Sequence, residues 1–176
     1  MTEPIPTAAV PDTIDTAAGL RERDTVAALR RARDKVRVHT QLSEAALFDP
    51  ALSDLSLVER LHAARYVALR SNAHALAEIY RTRLIDAGGT PDDIVHADAD
   101  TFDALPRRLG ALLAHTRRLT LAPVDARKTD LDALKSAGLT TPAIVALSQL
   151  VAFVAYQLRV AFAARALQAR AATEAA

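Results

Sequence analysis

Thr140-Thr141-Pro142-Ala143-Ile144-Val145-Ala146-Leu147-Ser148-Gln149-Leu150-Val151-Ala152-Phe153-Val154-Ala155-Tyr156-Gln157-Leu158-Arg159-Val160-Ala161-Phe162-Ala163 is the stretch whose reading decides the fold. A threonine followed by proline opens a helix, because the hydroxyl caps a free amide and proline lacks the amide that would need one. Nothing after Pro142 stops the helix, which is predicted to reach Ala171. The apolar run is long enough to span a bilayer. Ser148, Gln149, Gln157 and Arg159 interrupt it, however, and an arginine deep in lipid is costly. A helix that is apolar on most sides is also what the buried centre of a bundle looks like. The expectation is a buried central helix and no membrane.

The same punctuation continues upstream. Gly138 stops a two-turn helix over Asp130–Ala137 that Thr129 is expected to cap, and Ala122-Pro123 ends a helix beginning near Leu105. Thr90-Pro91-Asp92-Asp93 reads as cap, proline and first-turn acids, the start of a short helix. Ser56 with Glu59 three residues later is a capping-box pattern. From Leu57 the helical pattern runs to Gly88-Gly89, which is long for one helix. Ser71-Asn72 offers a second cap in its middle, so two helices are expected there. Asp24 is expected to cap one long helix from Thr25 to Leu47, its solvated face carrying Arg30, Arg31, Arg33, Lys35 and Arg37. A short helix over Asp12–Leu20 ends near Gly19. Residues 1–11, with three prolines, read as an extended tail, residues 12–171 as one domain and 172–176 as a frayed end.

Composition agrees with that pattern. The 176 residues are 51% hydrophobic and 24% charged, with 5 Gly, no Trp and 4% aromatics, which leaves alanine and leucine, both strong helix formers, to fill the elements. No alternating strand pattern, phosphate loop or nucleophile elbow is present. The fold class is therefore all-α, a bundle of about six to eight helices with a long apolar C-terminal helix.

A formal net charge of +1 implies no general pull toward nucleic acid, and the arginine clusters lack the interleaved aromatics of a nucleic-acid surface. The absence of cysteine removes disulfides, zinc–thiolate sites and thiol nucleophiles together. Met1–Pro6 does not resemble a signal peptide, so a cytoplasmic protein is the default expectation. Glu59-x-x-His62 matches one Glu-x-x-His unit of di-iron bundles, but those need two such units and further carboxylates, so no metal and no cofactor is expected.

The run Thr129–Thr140 followed by the apolar helix resembles the second half of the carboxymuconolactone decarboxylase and alkylhydroperoxidase-D superfamily. Ala146–Val154 with Gln157 and Arg159, together with Asp12–Asp15 and Leu57–Arg60, is similar to a subgroup described only as CMD domain proteins. Redox members of that superfamily carry a Glu, a Cys twelve residues on, a second Cys three further and a His four beyond that. Laid on this chain by spacing, Glu59 keeps the Glu, Ser71 and His74 stand at the cysteine positions, and Glu78 takes the place of the His. The resemblance thus implies the helical scaffold without the thiol peroxidase activity.

Glu59, Ser71, His74 and Glu78 are then the candidate catalytic residues. His74 and Glu78 share a helix face, and a carboxylate beside an imidazole orients it as a general base. This reading implies proton transfer on a small carbonyl or carboxylate substrate, with His74 as base and Glu59 assisting. The competing reading is an exposed His–Glu pair, a capping Glu59 and Ser71 as an N-cap rather than a nucleophile. Its functional counterpart is a catalytically silent protein that binds a partner, such as a cysteine-bearing relative, or a small apolar ligand. The apolar surplus of the last helix adds an expected homo-oligomer.

Overall fold

The structure is a computed structural model that describes residues 12–52 and 54–174. The expected tail over residues 1–11 lies outside those residues. The described chain forms nine α-helices and no strand: α1 Thr13–Ala18, α2 Thr25–Ala32, α3 Asp34–Leu47, α4 Leu57–Arg70, α5 His74–Asp86, α6 Pro91–Asp98, α7 Arg107–Leu121, α8 Lys128–Ser136 and α9 Thr141–Glu174. Single 3-10 turns at Phe102–Ala104 and Pro123–Asp125 flank α7.

Most helix ends obey the local chemistry of their sequence. Asp12 accepts from the amides of Ile14 and Asp15, and Gly19 closes α1 at φ 68°. Ser56 and Glu59 form the reciprocal capping box, Thr90 caps α6, and Thr140 accepts from the Ala143 amide at 3.2 Å to open α9. Four expectations need correction. The segment Thr25–Leu47 is two helices, because Arg33 leaves the helical region at φ −98°, ψ 50°. Asp24 makes no side-chain cap, its carboxylate accepting instead from the Arg21 amide. Lys128 rather than a residue after Thr129 begins α8, where Asp130 reaches back to the Arg127 amide at 2.9 Å. Arg30 is not on a solvated face: it pairs with Asp12 at 3.0 Å and with Asp15, fastening α2 to α1.

The larger correction concerns the centre of the bundle. Every residue from Arg60 to Ala68 on α4 is buried, and this helix packs on α5, α7 and α9. Ala63, Ala64 and Ala68 are fully enclosed, so neighbouring helices approach closely. The polar groups on α4 find partners at its edges. Arg60 donates to the carbonyls of Leu47 and Asp49, and Arg65 forms a fork with Asp98 of α6. By contrast α9 buries one stripe, Ala143, Ile144, Leu147, Leu150, Val151, Val154, Gln157, Leu158, Ala161 and Ala164, and leaves Val145, Tyr156, Phe162 and Leu167 exposed. It is long and apolar enough by length and composition to cross a membrane, yet its buried stripe packs on α1, α4 and α7.

One glycine marks a close approach. A Cβ on Gly110 would stand 2.5 Å from the Phe102 carbonyl oxygen, so only glycine lets α7 lie against the preceding 3-10 turn. At the other extreme, α3 buries none of its residues, and Val36, Val38 and Leu42 on it are exposed. It packs on α2 and α9, and Glu44 ties it by hydrogen bonds to Thr13 of α1, Arg83 of α5 and Gln157 of α9.

Candidate functional site

The four residues singled out by spacing do not meet. Glu59 lies in the first turn of α4 and Ser71 closes its last turn, a separation of roughly 18 Å along the axis for twelve residues. Both Glu59 oxygens are engaged, one by the Ser56 amide at 2.8 Å and the other by Arg108 at 2.6 Å. Arg108 also donates to the carbonyls of Asp54 and Gly138, so Glu59 is part of a clamp joining α4, α7 and the α8–α9 turn. A carboxylate so held, with its side chain 14% exposed, serves the capping box and the clamp.

The helix break expected at Ser71-Asn72 is present, but Ser71 is the C-cap of α4 rather than the N-cap of α5. Asn72 adopts φ 57°, a left-handed conformation that asparagine tolerates, and Ala73 precedes α5 without a side-chain cap. His74 and Glu78 are both exposed, and among the described residues they make no side-chain hydrogen bond or ion pair with each other. The acid–base cluster is therefore not assembled. Glu59 and Ser71 sit at opposite ends of α4, because a twelve-residue separation on a continuous α-helix cannot fold back on itself, while His74 and Glu78 lie beyond the break on α5.

A concave site lies elsewhere. Between α1, α3 and α5 runs an open groove of about 810 Å³, within the range of small-molecule sites. Val38, Leu42, Ala45, Phe48 and Ile79 give it an apolar wall, and Thr13, Thr16, Arg37, Gln41, Glu44 and Arg83 supply its polar groups. Ile79 and Arg83 are four apart on α5, hence on one face. The Arg83 guanidinium lies 4.4 Å from the centre of the Phe48 ring and 5.4 Å from that of Tyr80, which are themselves stacked.

Glu44 organises the floor. Its Oε1 accepts from the Thr13 hydroxyl at 2.8 Å and from Arg83 at 2.7 Å, and its Oε2 accepts from the Gln157 amide at 2.9 Å. Behind it the Tyr80 hydroxyl donates to Gln157 Oε1. Burial, reinforced by the Glu44 charge, pushes the Tyr80 phenol far above its ordinary value, so it stays a donor. Sequence reasoning missed this network, whose members come from α1, α3, α5 and α9. One signal was present: Gln157 interrupts an apolar run, and a buried amide requires partners.

A second polar cluster surrounds Asp100, which adopts φ 57°. It accepts from Tyr66 and Arg70, each at 2.7 Å, with Arg117 at 3.5 Å. Burial, and then the bond to Asp100, pushes the Tyr66 phenol up to about 12. The concavity beside it, about 490 Å³ between the Phe102–Ala104 turn and α7, has its one strained acid already committed to those partners.

Two buried histidines carry a pH dependence. Burial lowers the pKa of His62, with Asp93 and Asp98 opposing and Arg65 assisting, and burial lowers that of His115, with Asp130 opposing. His62 Nε2 and His115 Nδ1 are enclosed without a hydrogen-bond partner. Both rings are therefore neutral in the folded state. The unfolded chain takes up protons first, near the ordinary 6.5. Their contribution to stability is complete above that value and is lost as pH falls through it toward the depressed folded pKa values. The free energy of unfolding, and with it the urea midpoint, is expected to drop between about pH 7.5 and 5.5. His62→Gln should flatten the curve, and a wild-type midpoint that holds constant over that window would refute the assignment.

No protein-family model, no curated protein and no solved structure matches this chain. The site must be judged on its own geometry.

Proposed function

We propose that this protein is a non-redox ligand-binding protein that holds a small, largely apolar molecule in the groove between α1, α3 and α5. The observation that carries the reading is the groove itself: about 810 Å³, with one apolar wall formed by a helix that buries no residue of its own. Leu42 and Val38 on that wall are exposed, so a ligand can cover them without disturbing the core or the Glu44 network. The absence of cysteine excludes thiol chemistry, and the separation of Glu59 from His74 withdraws support from acid–base catalysis there. The break between α4 and α5 at the expected place supports a carboxymuconolactone decarboxylase-like scaffold put to a different use.

Binding of the neutral fluorophore N-phenyl-1-naphthylamine tests the reading. Saturable enhancement is expected, and Leu42→Glu should weaken it about tenfold, a penalty near 1.4 kcal/mol. Leu42 is 58% exposed, so the substitution leaves the core untouched. Unsaturable fluorescence, or identical binding by the variant, would remove the groove as the site.

Self-association is a second element of the proposal. Val145, Tyr156, Phe162 and Leu167 expose large apolar side chains along α9, and a second copy is the partner that a closed symmetric assembly would supply. A monomer by light scattering at micromolar concentration contradicts it.

A further inference from the structure

We propose that the ligand of the α1–α3–α5 groove is an amphipathic monocarboxylate, its acid group received by Arg83 with Arg37 beside it and its apolar body laid along α3. The inference rests on the groove being the binding site and specifies the chemistry of its occupant.

Among the described residues Glu44 supplies the one carboxylate lining the groove, and it already accepts three bonds from within the protein, two at Oε1 and one at Oε2. The donors of Arg83 are not matched in the same way: it uses one Nη for Glu44, and among the described residues its Nε and other Nη donate to nothing. Arg37 reaches Asp34 with one Nη at 3.2 Å. Gln41 and Thr16 complete the polar lining, with Gln41 Nε2 3.5 Å from Asp12 and the Thr16 hydroxyl donating to the Asp12 carbonyl. A guanidinium has five N–H donors and no acceptor, so the unfilled capacity of Arg83 is wholly for an acceptor.

Each guanidinium already has one carboxylate partner, Arg83 with Glu44 and Arg37 with Asp34, so the room left is for one more acceptor and not for a strong anion. A dianionic phosphate would meet the Glu44 carboxylate with no net positive charge to offset it. Stacking on Phe48 and Tyr80 fixes the plane of Arg83, so its fork is oriented before a carboxylate arrives. Val38, Leu42, Ala45 and Ile79 then offer apolar surface for a chain or ring, which a small hydrophilic acid would leave unused.

Isothermal titration with decanoate and decan-1-ol, at pH 7.5 on the full chain, separates the two layers of the reading. Decanoate is expected to bind about tenfold more tightly than the alcohol, the effect of one charge-assisted hydrogen bond near 1.5 kcal/mol. Arg83→Gln should abolish that preference, bringing decanoate and the alcohol to equal affinity. If circular dichroism shows Arg83→Gln to be unfolded, Arg37→Gln carries the test and must reduce the preference. Equal affinity for acid and alcohol in the wild type would overturn the carboxylate assignment and leave the apolar groove standing. Failure of both to bind would overturn both readings.

Discussion

Tyr80→Ala is expected to destabilise the protein by about 3–5 kcal/mol, the range for removing a fully enclosed aromatic ring. Tyr80 has no solvent exposure, stacks on Phe48 with ring centres 5.4 Å apart, lies beneath Arg83 and donates its hydroxyl to Gln157. It therefore joins the apolar core to the polar floor of the groove. Tyr80→Phe separates the two contributions. It keeps the ring and strands Gln157 Oε1, for an expected loss of about 1–2 kcal/mol. Combining Tyr80→Phe with Gln157→Leu should cost less than the sum of the single changes by at least about 0.5 kcal/mol, because the second change removes the stranded acceptor. Urea unfolding of the four proteins measures all these quantities. Strict additivity would mean that Tyr80 and Gln157 act independently, and a loss below 2 kcal/mol for Tyr80→Ala would mean that the α5–α9 seam relaxes to fill the gap.

Arg60→Met should cost about 2–4 kcal/mol and release α3. Arg60 is 1% exposed, and one of its Nη atoms donates to the Leu47 carbonyl at 2.8 Å and the Asp49 carbonyl at 2.9 Å. Leu47 is the last residue of α3, whose terminal carbonyls have no partner within the helix. Each bond from a charged donor contributes about 1.5–3 kcal/mol, and relief of the buried charge offsets part of the sum. Burial already lowers the Arg60 pKa against the opposing pull of Asp49 and Glu59, which shows the strain that methionine would relieve. Since α3 buries no residue, loss of this tie should expose it locally. Tryptic cleavage at Lys35 and Arg37 is expected to accelerate well beyond the change in global stability, and binding in the groove should weaken with it. Unchanged cleavage would show that α3 is held by other means.

Much of the helical layout was legible in particular residues. Ser56 with Glu59, Thr90 with Pro91, and Thr140 or Thr141 with Pro142 each announced a helix start, and Gly19 and Gly138 each announced a stop, because these signals act over one turn of chain. Arg33 gave no such signal. The bend there lets α2 press Val26 and Ala27 into the body while α3 turns away with nothing buried, and that choice depends on surfaces far along the chain. The candidate site divides in the same manner. The spacing from Glu59 to Ser71, His74 and Glu78 located the break between α4 and α5 but placed no two of the first three residues in contact. The polar floor was not legible as a unit, since Glu44 and Gln157 are 113 residues apart and nothing in their local patterns pairs them.

The amino-acid sequence by itself determined the all-helical class, most helix boundaries, the long final helix and the absence of thiol chemistry, because propensity, capping and composition are local properties. Only the tertiary structure decided which helix occupies the centre. Hydropathy favours α9, whereas α4 is enclosed although it carries Arg60, His62 and Arg65. Its alanines let three neighbours close in, and its arginines find carbonyls and a carboxylate at the rim. Burial is settled by the partners a side chain meets after the chain folds, and the same rule placed the groove beside the helix that buries none of its residues.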